Sequence, residues 1–139
     1  MTVERLVSRF IRASLLYFVL GMALGTILVF WPEWPAIMKT VHVHIILLGW
    51  LSMVIYAVGY AVVPRLVARD LYSVRLADVQ FWLSNAALIA MCVFWIVVAF
   101  EEKGTLEYAF FYSLFAISAV IEAVSGLLFV FGITMTMWR

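Results

Sequence analysis

Four apolar runs, each about 20 residues or longer, limit what this chain can fold into more than any single motif does. Across hydrocarbon a backbone amide finds no water, and a single continuous segment of that length satisfies its own amides only as a helix. The runs cover residues 10–31, 41–63, 80–100 and 108–137. They predict an all-α membrane protein: one four-transmembrane-helix bundle occupying residues 1–139 as a single domain. Composition agrees. A chain of 139 residues that is 68% hydrophobic and 12% charged carries more apolar surface than a soluble core could bury. The lipid bilayer is therefore its first partner. A net charge of +1 with no basic run gives no reason to expect nucleic acid. The single cysteine, Cys92, lies inside the third run, so no intrachain disulfide is expected and the redox compartment is not legible.

The connections set the orientation. Arg5, Arg9 and Arg12 precede the first run as in a secretory signal, but the run is too long and no Ala-x-Ala-like site follows, so we expect it to be retained. Trp31-Pro32-Glu33-Trp34-Pro35 ends that span, with prolines that stop a helix and tryptophans suited to the membrane interface. Pro64-Arg65 closes the second span, and a polar connection runs from Arg65 to Asp78. Glu101 to Glu107 form a short acidic turn. Arg5, Arg9, Arg12, Arg65, Arg69, Arg75 and Arg139 fall on one side of this scheme, and only Lys39 and Lys103 on the other. That asymmetry places both termini in the cytoplasm and the start of the second span on the outer side.

The second span opens Val41-His42-Val43-His44 and contains the only two histidines in the chain. An ionisable side chain at the head of a membrane helix is costly, and imidazole readily ligates iron or copper. Residues two apart on a helix point almost oppositely, so His42 and His44 cannot bind one metal from the same side. Below His42 the stripe runs Ile46, Gly49, Met53, Tyr56 and Tyr60; below His44 it runs Leu48, Leu51, Ile55 and Val62. Gly49 leaves room for a flat ring lying along the helix, which favours His42 as a heme ligand. Against this stands the plainer reading that both histidines anchor the helix in the headgroup region.

Other groups carry weaker signals. Gly21 and Gly25 form a GxxxG pattern that admits a close helix neighbour. Glu122 lies mid-span, as a proton-relay group, part of a quinol pocket, or a neutral carboxyl bonded to Asn85, Ser118 or another helix. Asn85 and Ser84 read as interhelical hydrogen-bonders. Copper is the alternative metal. Met38 lies one turn before His42 on its face, whereas Met135 and Met137 belong to the opposite membrane side from the histidines. Met91, Cys92, Phe110, Phe111, Phe115, Phe129 and Phe131 read as packing or lipid-facing residues.

Gly21-Met22-x-x-Gly25, the exit Phe30-Trp31-Pro32-Glu33, and the run from His42 to Tyr60-Ala61-Val62-Val63-Pro64-Arg65 resemble the first two helices of the catalytic subunit of heme–copper oxidases, especially the cbb type. The His-x-His-x-x-x-x-Gly-Trp form resembles short oxidase subunit I-like membrane proteins. The resemblance covers about half of the chain. It implies that His42 stands where the family has an axial ligand of low-spin heme b, near the outer side. Those oxidases have far more helices, and the histidines of their copper centre and second heme have no counterpart here. Their paired propionate-holding arginines are also missing, although Lys39 could partly substitute. Oxygen reduction by this chain alone is therefore not expected. The resemblance implies a b-type heme protein serving electron transfer, or the handling of heme or a diatomic gas such as nitric oxide. The alternative is a cofactor-free accessory protein of a respiratory or denitrification complex. A homodimer, a respiratory-chain redox partner or quinol, and the cytoplasmic membrane of a bacterium or archaeon complete these expectations.

Overall fold

A computed structural model describes residues 1–34 and 36–138. Pro35 (part of the stop after the first span) and Arg139 (one of the orienting arginines) lie outside the described residues. The chain forms four helices: α1 (Val3–Phe30), α2 (Ala36–Leu66), α3 (Val74–Phe100) and α4 (Leu106–Trp138). All four are long and apolar enough to cross a membrane, and the described residues contain no strand. The expected all-α, four-transmembrane-helix class is the one observed.

Several helices outrun the apolar stretches that announced them, because caps decide where a helix starts while hydropathy marks only what hydrocarbon covers. α1 starts at Val3 rather than Phe10, with the Thr2 hydroxyl accepting the Arg5 amide at 3.4 Å. α3 starts at Val74 rather than Gln80, since the Ser73 hydroxyl accepts the Leu76 amide at 3.2 Å. Arg75 and Asp78, expected in the connection, are therefore helical. At the head of α4 the Thr105 hydroxyl accepts the Tyr108 amide at 3.1 Å.

The end of α2 differs from expectation in another way. Pro64 lies inside the last turn instead of closing the helix. The stop comes at Val67-Ala68-Arg69, where the Arg69 amide donates to Pro64 O at 3.0 Å and the Ala68 amide to Arg65 O at 3.3 Å. This paired pattern requires a left-handed residue, and Ala68 supplies it at φ 50°. An L-residue with a Cβ is held there at a cost of roughly 1–2 kcal/mol that glycine avoids. Ala68→Gly is therefore expected to stabilise the protein by up to about 1 kcal/mol, since glycine also gains freedom in the unfolded chain. Thermal unfolding in detergent checks it; an unchanged or lower midpoint would contradict the assignment of strain to Ala68.

Arg9 Nη1 donates to Asp78 Oδ1 at 2.6 Å, joining the start of α1 to that of α3. Arg69 Nη1 donates to Met137 O at 3.0 Å, joining the end of α2 to that of α4. The start of α1 and the end of α4 thus share one end of the bundle with the α2–α3 connection. At that end an aromatic cluster draws one or more rings from every helix. Phe10 meets Phe81 edge-on at 5.0 Å between centroids, and Phe129 meets Tyr56 at 4.7 Å and Tyr60 at 5.2 Å. Outside this core many large apolar residues face outward, including Leu15, Val19, Ile89 and Val130, each about half exposed or more. A lipid-facing surface requires that pattern, and a water-facing one would aggregate.

Candidate functional site

The two histidines lie on the α-helical first part of α2, just above a π-helical segment, Ile45–Leu51. There the Ser52 amide bonds to Leu47 O, and the Ser52 hydroxyl donates to the same oxygen at 2.9 Å. A π turn inserts an extra residue and rotates the helix beyond it into a new phase, and such turns gather at functional positions. Nothing in the sequence marks it.

His42 turns toward α1. Its Nδ1 lies 2.9 Å from the Gly21 carbonyl, and since a carbonyl only accepts, that nitrogen carries the proton. The Nε2 is left as the free acceptor; it makes no hydrogen bond among the described residues and is not sealed from the surface. The ring can come this close because Gly25 lacks a side chain. A Cβ there would fall 2.8 Å from His42 Cε1. One turn along, Gly21 does the same for Ile46. The GxxxG pattern is therefore spent on packing α1 against α2, with His42 and Ile46 as the side chains it admits.

His44 turns the other way. Its Nδ1 lies 2.8 Å from Thr40 O, one turn back in its own helix. Its ring borders a small gap lined by Val41, Met91, Cys92, Trp95 and Phe115. The two imidazoles thus face different neighbours, as their spacing requires. The gap puts two sulfur side chains near His44. Sequence reasoning misses this juxtaposition, because the apolar α3 run offers no sign of which of its residues meets α2. Lys39 is exposed, and Met38 half-buried, one turn before His42.

Gly49 does not offer an open face. The ring of Tyr17 lies across it, and a Cβ at Gly49 would stand 2.6 Å from Tyr17 Cγ. The clearance read as room for a flat ring is filled from α1, which a one-helix stripe cannot reveal. The Tyr17 hydroxyl donates to Asn85 Oδ1 at 2.9 Å, and Asn85 Nδ2 donates to Phe81 O at 2.7 Å. Gly49 and Asn85 thus come together through Tyr17. A tyrosine inside an apolar span needs a partner for its hydroxyl, and that was the available signal.

Glu122 is buried against α3, where the Ser84 hydroxyl donates to its Oε1 at 2.8 Å. Asn85 and Ser118, the partners suggested by sequence, are occupied elsewhere: Asn85 with Tyr17, Ser118 with Leu114 O. Among the described residues no group of three or more His, Cys, Asp or Glu side chains gathers to hold a metal. What His42 offers is a single nitrogen, Nε2. Its Nδ1–H is fixed by a backbone carbonyl, the second-sphere bond that a ligating histidine characteristically makes.

Residues 5–139 match the family model for cytochrome C and quinol oxidase polypeptide I. A cytochrome c oxidase subunit 1 homolog from Azorhizobium caulinodans is 29% identical over 110 residues, 70% of this chain and 20% of that protein. The cbb3-type cytochrome c oxidase subunit CcoN1 of Stutzerimonas stutzeri is 31% identical over 105 residues, 66% of this chain and 22% of that protein. The chain thus spans about a fifth of the length of these curated relatives.

Proposed function

The chain belongs to the cytochrome c and quinol oxidase polypeptide I family, and on that premise we propose that it is a membrane protein holding b-type heme through Nε2 of His42. The observation that carries this reading is the pairing of His42 Nδ1 with Gly21 O at 2.9 Å over the bare face of Gly25. That arrangement fixes the tautomer, holds the ring and leaves one nitrogen for a metal. Bound heme would supply one-electron redox chemistry or a coordination site for a diatomic gas such as nitric oxide. The protein's part is to supply the ligand, and with exposed Lys39 one turn away, a cation for a propionate. The working place is the cytoplasmic membrane of a bacterium or archaeon, with both termini cytoplasmic, in exchange with a redox partner or quinol.

Gly25→Ala tests the carrying observation. The added methyl displaces the imidazole and with it the Gly21 bond, and losses of such second-sphere bonds cost about 10–100-fold in affinity. We expect heme affinity to fall by that order while the helices remain folded by circular dichroism. Unchanged affinity would remove the support. An absorption spectrum of the purified protein tests the function as a whole. Sharp reduced α and β bands mean a low-spin electron-transfer heme, a broad spectrum an open gas or heme-handling site. No Soret band means the cofactor-free accessory reading, which the Tyr17 ring over Gly49 favours. Copper is the alternative metal, and the Met91 and Cys92 sulfurs beside His44 suit it better than Met38 beside His42.

A further inference from the structure

Heme ligation makes no use of the most expensive group in the bundle, the mid-span carboxyl of Glu122. It is 7% exposed, and the titratable groups near it are the phenols of Tyr17 and Tyr56. Among the described residues no cation pairs with it, and an unpaired carboxyl in hydrocarbon is stable as the neutral acid. Ser84 satisfies Oε1, but Oε2 has no partner among the described residues. Its neighbour on α3 is in the same condition. Gln80 is fully buried, its main-chain oxygen accepts the Ser125 hydroxyl at 3.1 Å, and its Nε2 has no partner among the described residues. Gln80 and Ser84 lie one turn apart on α3, and Ser125 and Glu122 one turn apart on α4. The two residues that carry the orphaned atoms therefore lie within one turn of each other along the α3–α4 seam.

An amide N–H and a carboxyl O–H are both donors, and the group that satisfies both is a water oxygen, which accepts two hydrogen bonds. A cleft at the end of the bundle reaches the next polar residue, Tyr60. This cleft, of about 1110 Å³, opens between the start of α1, the end of α2 and the α2–α3 connection, bordered by Glu4, Ser8, Arg65 and Arg69. Tyr60 forms its inner wall and donates its hydroxyl to Gln80 Oε1 at 3.4 Å. Polar groups thus continue from the cleft, past Tyr60 and Gln80, to Glu122. On the histidine side Tyr17 and Asn85 bond to each other and close the seam.

We propose that Glu122 exchanges its proton with water in this cleft through an internal water held by Gln80. The proton leaving Oε2 passes to that water, and the water passes one of its own to the Tyr60 hydroxyl oxygen. The Tyr60 hydroxyl, turned from Gln80, releases its proton to water in the cleft; the reverse transfers restore the acid, so charge and atoms balance. The route opens at the α2–α3 end of the bundle, away from the histidines.

Infrared spectroscopy of the purified full chain tests this without any bound cofactor. A carboxylic C=O band that disappears in Glu122→Gln identifies the group. On transfer to D2O that band should shift promptly in the wild-type protein. Gln80→Leu, and the milder Tyr60→Phe that keeps its ring against Phe10 and Phe129, should slow the shift about tenfold or more, the scale of one lost buried hydrogen bond. Asn85→Leu, on the closed side, should leave the rate unchanged. A wild-type band that does not exchange over hours, no such band at all, or equal rates in Gln80→Leu, Tyr60→Phe and wild type would overturn the proposal. A failure of heme binding at His42 would leave these rates as they are.

Discussion

His42→Ala removes heme retention and His44→Ala only weakens it: that is the expected result of the central experiment. Both imidazoles have a protonated Nδ1 on a backbone carbonyl and a free Nε2, so tautomer does not separate them. Position does. His42 is tied across to a second helix, by the Gly21 carbonyl of α1 and against the bare face of Gly25 one turn along it. His44 is tied only to its own helix and borders a gap of hydrocarbon and sulfur groups. Since loss of a second-sphere bond already costs about 10–100-fold, deletion of the ligand itself should exceed about 100-fold. The His44 variant should lose a small fraction of that, through repacking against Met91 and Trp95. Soret absorbance per mole of protein, after identical purification, reads both. Equal loss in the two variants, or loss confined to His44→Ala, would reassign the ligand and favour the sulfur-lined side of α2.

The features legible in the sequence were those that one helix reveals by itself. Span number came from apolar length, and the opposed directions of His42 and His44 from helical periodicity. Of the stripe Ile46, Gly49, Met53, Tyr56, Tyr60, all but the half-buried Ile46 turned out to be buried. What escaped depended on a second helix. Gly49 has no side chain, and only α1 determines that a tyrosine fills the vacancy. Glu122 had several partners within helical reach, and the relative rotation of α3 and α4 selected Ser84 over Asn85. The π segment left no trace at all, because it is a change of hydrogen-bond register that no residue type in Ile45–Leu51 demands.

The second large effect concerns stoichiometry, where we expect one heme per two chains in a homodimer. An iron with two axial histidines needs two imidazoles, and this sequence has two histidines in all. The geometry of α2 keeps them from one metal: His42 lies against α1, His44 against α3 and the gap beside Phe115. A two-fold axis solves this, because a symmetric interface pairs the same patch with itself and brings His42 from each copy to one iron. Such an interface cannot use Gly21, Gly25 or Gly49 for close approach, as their spacing alone invites. Ile46, His42 and Tyr17 already occupy those faces within the chain. In a dimer the copies would meet through other residues at the histidine end of α1 and α2, where Met22 and Val43 are about half exposed. Heme content against protein concentration decides between the arrangements. One heme per two chains supports the shared iron. One per chain rejects it and leaves a five-coordinate site with an open position, suited to a gas ligand. A strictly monomeric particle in mild detergent would remove the dimer itself, and with it the route by which this chain completes a low-spin heme on its own.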